Sequence, residues 1–341
     1  MPSIDDVIKN INKKAGSDIV GYGIPKREYT RIPFTSPRMN YCTYGGLPTG
    51  RLIEFYGEEH GGKTTTALDI VGNYQRMETG KRVAYFDSEN TLDVEWATKL
   101  GVDVDSLILL QPEEQSAEEI LQYILDMIQT GEVGLVVIDS IAAMVSSQAM
   151  DKTIADKTYA GISMPLTTFG DKAVMLCKRT GCTVIGINQI RDDLGAMWGG
   201  AIKTPGGRAW KHLCSVRMQF TRGSFINEKG EEIKRSSESP VGNKVLMSMT
   251  KNKTCPANRR GGYYTINYAY GIDYLADLIE VALKYDLIQQ SGAWFTIIDP
   301  DSGEILSDKI QGMSKVYAYL EDEANEGVLT FIENYIDSRI G

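Results

Sequence analysis

Histidine is nearly missing from this chain: His60 and His212 are the only two in 341 residues. Catalysis by a histidine base and metal sites built on imidazole are therefore poor expectations. Cysteine is also sparse. Cys42, Cys177, Cys182, Cys214 and Cys255 are odd in number and scattered, which suits a reducing compartment and argues against a disulfide framework. Only Cys177 and Cys182 are close in sequence, with no histidine beside them, so a zinc site is not expected. No apolar run approaches the roughly 18 residues of a membrane span. The N-terminus, MPSIDDVIKNINKK, lacks the apolar stretch of a signal peptide. A cytoplasmic protein with no membrane partner is expected. Only 11 prolines against 42% hydrophobic residues argue for a folded chain, and the length suggests one large α/β core with small appendages.

The net charge of −9 looks wrong for a nucleic-acid binder until it is divided along the chain. Between Lys172 and Arg260 there are 17 Lys/Arg against 6 Asp/Glu, and from Gly271 to Gly341 there are 4 against 14. A basic middle and an acidic C-terminal appendage would suit a nucleic-acid partner. From charge alone, an ordinary solvated surface explains the split equally well.

From Gly50 onward the pattern is regular. Apolar strands are expected at Leu52–Tyr56, Val83–Asp87, Leu107–Leu110, Gly134–Asp139 and Thr183–Asn188. Helices are expected after the first of these, around Val94–Leu100, at Ala117–Thr130 and near Thr167–Thr180. Such alternation implies a parallel sheet covered on both faces. After Gly206, alternating segments at Val216–Thr221, Val245–Met249 and Tyr263–Tyr268 read as antiparallel strands extending the same sheet. Helices return around Tyr274–Tyr285 and Lys315–Tyr319, with a hairpin expected at Trp294–Glu304. Three parts result: an N-terminal helix and arm at 1–32, for contact with another subunit, an α/β core at 33–268, and an acidic α+β domain at 269–341.

The strongest motif is Gly57-Glu58-Glu59-His60-Gly61-Gly62-Lys63-Thr64, a GxxxxGKT phosphate loop between an expected strand and helix. Its backbone amides would wrap phosphates, Lys63 would face the β/γ oxygens, and the Thr64 hydroxyl would take Mg²⁺. Thr65 follows as a further ATP-site residue, and His60 reads best as a solvated loop side chain. Asp139, at the end of an apolar strand and followed by Ser140, is placed to hold the metal through water. Hydrolysis also needs a group to activate water. Glu89, after strand Val83–Asp87, is favoured over Asp87.

In order, Gly45-Gly46-Leu47-Pro48-Thr49-Gly50-Arg51, the phosphate loop, Asp87-Ser88-Glu89 and Ile138-Asp139-Ser140 resemble the RecA family. Ile187-Asn188-Gln189-Ile190-Arg191, Pro205-Gly206-Gly207, Lys251-Asn252-Lys253 and Gly292-Ala293-Trp294 continue the series. The resemblance runs from about Tyr44 to Trp294. It implies a RecA-type P-loop ATPase core with a mostly parallel sheet and an antiparallel extension. It also implies ATP and Mg²⁺ as ligands, helical filaments of the chain on single-stranded DNA, and strand exchange with homologous duplex. By the resemblance, Glu89 activates water, Gln189 senses the γ-phosphate, and Asp93 and Trp96 border the adenine. Lys251 and Lys253 would reach the nucleotide of a neighbouring subunit, although lysines guarding a solvated edge strand explain them too.

Two segments are expected to face DNA. One, near Gln148–Gly161, carries Lys152, Lys157 and Tyr159. The other, between Arg191 and Pro205, carries Met197, Trp198, Gly199, Gly200 and Lys203, and ends in Gly206, Gly207 and Arg208. Lys172 is a further candidate. Glycines, a stacking side chain and a few cations suit single strands. Asp192 and Asp193 run against a strongly cationic loop, and Arg208 and His212 stand where the family commonly has Asn and Phe. A ring-forming helicase or motor ATPase on the same fold, or a non-catalytic single-strand-binding mediator, are the alternatives.

Overall fold

The computed structural model describes residues 2–16, 18–23, 29–153, 161–192, 202–228, 230–233 and 239–340. The chain divides into two compact units, residues 1–30 and 31–341. In the first, helix α1 (Ile4–Ala15) starts on a capping box. The Ser3 hydroxyl accepts from the Asp6 amide while the Asp6 carboxylate accepts from the Ser3 amide, at 3.2 and 3.1 Å. It ends at Gly16, whose φ of 66° provides a left-handed cap. Ile4, Val7 and Ile11 form an apolar stripe that nothing within this unit buries.

The second unit opens with strands β1 (Arg31–Ile32) and β2 (Leu47–Pro48), an antiparallel pair around helix α2 (Pro37–Thr43). Strand β3 (Leu52–Gly57) leads into helix α3 (Lys63–Arg76), and β4 (Arg82–Asp87) into α4 (Val94–Lys99). After β5 (Ile108–Leu110), helix α5 (Ala117–Thr130) is held by a Ser116–Glu119 capping box and precedes β6 (Val133–Asp139). The short α6 (Ser147–Met150) and long α7 (Ser163–Thr180) come before β7 (Thr183–Gln189). Strands β8 (Arg191–Asp192) and β9 (Ile202–Lys203) pair as a hairpin stem, with α8 (Gly207–Leu213) immediately after. Strands β10 (Val216–Ile226), β11 (Glu232–Ile233), β12 (Gly242–Asn252), β13 (Gly261–Asn267) and β14 (Gly271–Ile272) complete the main sheet.

The strand order is β14-β13-β12-β10-β3-β7-β6-β4-β5, with β11 beside β10. Pairing is parallel from β10 to β5 and antiparallel among β10, β12, β13 and β14. This is the architecture expected from the sequence. Strand alternation sorts side chains to two cores. Ile53 and Phe55 of β3 join the core under α3, whereas Leu52 joins the one under α5, α7 and α8, where Phe169 and Trp210 are buried.

A third apolar cluster lies at the C-terminal end, among α9 (Tyr274–Lys284), α10 (Met313–Glu321), α11 (Glu326–Ile340) and a small antiparallel sheet. That sheet contains β15 (Ile288–Ser291), β16 (Trp294–Ile297) and β17 (Ile310–Gln311). The hairpin therefore begins earlier than expected. It turns at Gly292, with φ 62°, and the Asp299–Glu304 turn that follows closes only a single Ile298–Ile305 bridge. Helices α2, α8 and α11 were not foreseen. The first two have only seven residues, too short for a periodic signal.

Candidate active site

The loop from Gly57 to Gly62 is shaped by two close approaches. A Cβ at Gly57 would lie 2.0 Å from the Phe220 carbonyl oxygen. Gly62 has φ 92°, and a Cβ there would stand 2.7 Å from a methyl of Val245. Only glycine fits both places. Behind the loop, the Thr66 hydroxyl donates to the Gly62 carbonyl at 2.7 Å and shares a 2.7 Å hydrogen bond with the Tyr264 hydroxyl.

Lys63 is buried and folds back over its own loop, its Nζ donating to the carbonyls of Gly57 and Glu58 at 3.1 and 2.5 Å. Burial lowers its pKa, and the carboxylates of Asp139, Glu59, Glu58 and Glu89 pull it back up. The Thr64 hydroxyl donates to Asp139 Oδ2 at 2.8 Å, and the Tyr85 hydroxyl donates to the same oxygen at 2.9 Å. Burial raises the Asp139 pKa against these two hydrogen bonds. A hydroxyl and a carboxylate side by side, both hard oxygen donors, fit Mg²⁺. Among the described residues no group of three or more His, Cys, Asp or Glu forms a separate metal cluster.

Asp87 and Glu89 part company here. The buried Asp87 carboxylate accepts from the amides of Thr91 and Leu92 at 3.2 and 3.0 Å, which makes it a brace for the turn after β4. Glu89 is exposed, and its Oε1 accepts only weakly from the Ser140 hydroxyl at 3.4 Å. Ser140 is itself held through its amide, which donates to the Ser88 hydroxyl at 2.7 Å. Gln189 lies opposite Gly57 in the β3–β7 register.

A cleft of about 480 Å³ opens between residues 60–65 and a wall containing Trp96, Arg222, Asn243 and Tyr268. The Trp96 indole donates to the Thr65 hydroxyl at 3.4 Å. Asp93 does not line this cleft. Its carboxylate caps α4 by accepting from the Trp96 amide at 3.0 Å, and so orients the indole. His60, exposed and at φ 56°, borders the opening. Arg222, Asn243 and Tyr268 escaped the sequence reading because they come from strands far along the chain, although aromatic Tyr268 just past a strand end was a usable signal.

The DNA candidates are more dispersed. Lys172 is exposed on α7, and Arg208 is exposed on α8. Arg191 and Lys203, both exposed, face each other across the β8–β9 stem, and half-buried Lys152 follows α6. Gly206 and Gly207 have φ of 92° and 74°, and a Cβ on Gly206 would come within 2.4 Å of Leu166. Their first task is thus to seat α8 against α7. Lys157, Tyr159, Asp193, Met197, Trp198, Gly199 and Gly200 lie outside the described residues. Lys251 donates from Nζ to the carbonyls of Lys211 and His212 at 2.5 and 2.9 Å, and Lys253 donates to His212 at 3.2 Å. Both cations sit at the C-terminus of α8, where the helix dipole favours them.

The sequence reading also missed a buried acid. Glu54 is completely buried in β3, where it pairs with Arg217 of β10 and accepts from Asn188 of β7 at 2.9 Å. An acid interrupting an apolar strand was the available sign.

With this geometry in place, comparison with known proteins is direct. The family model described as the RecA N-terminal domain matches residues 3–273. Protein RecA of Staphylococcus aureus strains JH9, Newman and N315 is 33% identical over 343 residues, covering 99% of this chain and 92% of each relative. A ring motor or an inert mediator is not favoured by these matches. No described helix is long and apolar enough to cross a membrane. The matched span carries the phosphate loop, the Thr64–Asp139 pair and the β8–β9 stem, and the chain belongs to the RecA family.

Proposed function

We propose that this protein is a DNA-dependent ATPase that forms filaments on single-stranded DNA and catalyses homologous pairing and strand exchange. Membership of the RecA family implies ATP hydrolysis with Mg²⁺ and action on DNA as a filament. The observation that supports the ATPase part of this reading is the convergence of Lys63, Thr64, Asp139 and Glu89 at the carboxyl edge of one parallel sheet, where such sheets bind ligands, while the DNA part rests on the family.

The loop amides and Lys63 hold the β- and γ-phosphates of ATP, stabilising charge as the terminal bond breaks. Thr64, with Asp139 through water, would hold Mg²⁺, which supplies charge neutralisation across the phosphates. Glu89 orients the attacking water and takes its proton. Trp96 and Tyr268 offer stacking faces to the base. Gln189, at the end of β7, senses the γ-phosphate two residues before the stem that leads into the second DNA segment. Lys251 and Lys253 act on the nucleotide of the adjacent subunit, for which they exchange their carbonyl partners on α8. The apolar stripe of α1, with Ile4 65% exposed, packs on a neighbouring copy in the filament.

The test is electron microscopy with ATP and single-stranded DNA, together with ATPase assays with and without DNA. Helical filaments and DNA-stimulated turnover are expected. Closed rings, or turnover indifferent to DNA, would refute the reading.

A further inference from the structure

A short polar chain runs beneath the phosphate loop on the side of the sheet facing α7 and α8. Asn188 is fully buried, and its Nδ2 donates to Glu54 Oε1 at 2.9 Å and to the Pro205 carbonyl at 3.0 Å. Its Oδ1 has no partner. The two donations alone therefore fix how the amide is turned. The other oxygen of Glu54 accepts from Arg217 Nε, and the Arg217 guanidinium lies over the Tyr56 ring, 4.6 Å from its centroid. Glu54 and Tyr56 belong to β3, which ends in the phosphate loop. Pro205 lies two residues after β9, the second strand of the β8–β9 stem.

We infer that Asn188 is a positioning residue that couples nucleotide state to the β8–β9 stem, by tying Pro205 to the Glu54–Arg217 pair. The inference deepens the proposed recombinase function and rests on it. Three features carry it. Asn188 is adjacent to Gln189, which sits in register with Gly57, so a shift at the loop end of β7 reaches Asn188 directly. Arg191 pairs with Lys203 and Asp192 with Ile202, so the stem strand that Pro205 anchors moves as one with its partner. Burying a carboxylate with an arginine and an unsatisfied amide oxygen is a poor way to gain stability where apolar residues would pack. A network of this kind specifies one arrangement of its members. Side chains that merely satisfied one another would not need to span β3, β7, β10 and the end of the stem.

The test uses the full-length protein and a fluorescent oligo-dT strand. Strand affinity is measured with and without a non-hydrolysable ATP analogue, and the ratio is the coupling factor. The same factor must appear when analogue affinity is measured with and without the strand. Asn188→Ala should reduce this factor by about tenfold or more. Analogue affinity without DNA, and strand affinity without nucleotide, should stay within about threefold of wild type. Asn188→Ser, which keeps one donor, serves as the milder variant, with an intermediate loss expected. Circular dichroism and thermal melting verify that each is folded. A coupling factor within about twofold of wild type in the folded variants overturns the inference. So does an equal loss of both affinities with the factor unchanged, since that is what a stability role alone produces. A wild-type factor of one sinks the proposed function itself. A large wild-type factor that survives in both variants sinks only this inference.

Discussion

Asp277 is the most perturbed carboxyl group whose consequence can be measured without DNA or nucleotide. It lies in α9, is 1% exposed, and its Oδ1 accepts from the Thr265 amide of β13 at 3.3 Å. Its Oδ2 has no partner. Burial pushes its pKa up from 3.8 to about 8, against the opposing influence of the nearby Ser36 side chain and the charge of Arg38. Between these values the folded state holds a proton that the unfolded chain has released, so stability falls as pH rises. The slope is about 1.4 kcal/mol per pH unit well below the folded pKa and flattens as that value is reached. From pH 6 to pH 8 the loss attributable to this group is thus about 2 kcal/mol. Asp277→Asn keeps the shape and removes the titration. Urea unfolding of both proteins at pH 6 and pH 8 isolates the effect, because every other titrating group, including Asp69 with its pKa raised to about 6 by burial, is common to both. The variant should gain about 2 kcal/mol on wild type across that interval. Parallel pH dependences would show that Asp277 is ionised in the folded protein and would refute the reasoning.

Glu89→Gln should bind ATP and DNA normally and hydrolyse ATP at least about 100-fold more slowly, since shape is kept and the proton acceptor is lost; unchanged turnover in a steady-state assay would transfer the role elsewhere. Gly62→Ala, with φ 92° and a Cβ 2.7 Å from Val245, should destabilise the fold by about 1–3 kcal/mol and weaken ATP binding, read by thermal melting and by fluorescent-nucleotide titration. Replacing Lys251 and Lys253 together by Ala should leave ATP binding to free subunits near wild type while abolishing ATP-dependent filaments and DNA-stimulated turnover. Mixing that protein with Lys63→Ala subunits should restore part of the ATPase activity, because some interfaces then pair an intact loop with intact lysines. No recovery, alongside normal filaments from the double variant alone, would rule out a shared site.

What could be read from the sequence was whatever is local. Strand β3, the phosphate loop and α3 are contiguous, and so are β6 and its terminal Asp139, so periodicity and motif spacing locate them without tertiary information. Helix α5 has the bounds expected from the sequence, Ala117–Thr130, and the structure shows Ser116 and Gly131 as its caps. Glu54, Asn188, Arg217 and Pro205 are a different case. They meet only because β3 lies between β7 and β10, an order that no local pattern encodes. The same holds for Arg222, Asn243 and Tyr268, which reach the cleft only once the antiparallel extension has folded beside β3. Asp87 and Glu89 are acids two positions apart, and the preference for Glu89 over Asp87 rested partly on the family resemblance rather than on local pattern alone. What separates them is the turn after β4, whose amides occupy one carboxylate and leave the other exposed.

The folded-back Lys63 has a consequence for how this site would respond to nucleotide. Because its ammonium already has two carbonyl partners in the loop, an arriving phosphate does not meet a bare charge. It must displace existing hydrogen bonds, and the net gain is the difference between two occupied states. A ligand that offers only weak acceptors gains little from that trade, whereas the strongly charged terminal phosphate gains most. The loop can therefore stand preformed without tight capture of every anion that enters the cleft. The two carbonyls released when Lys63 turns away must then find new donors. On the proposed function, nucleotide arrival would in this way be felt at Gly57, the last residue of the strand that also carries Glu54.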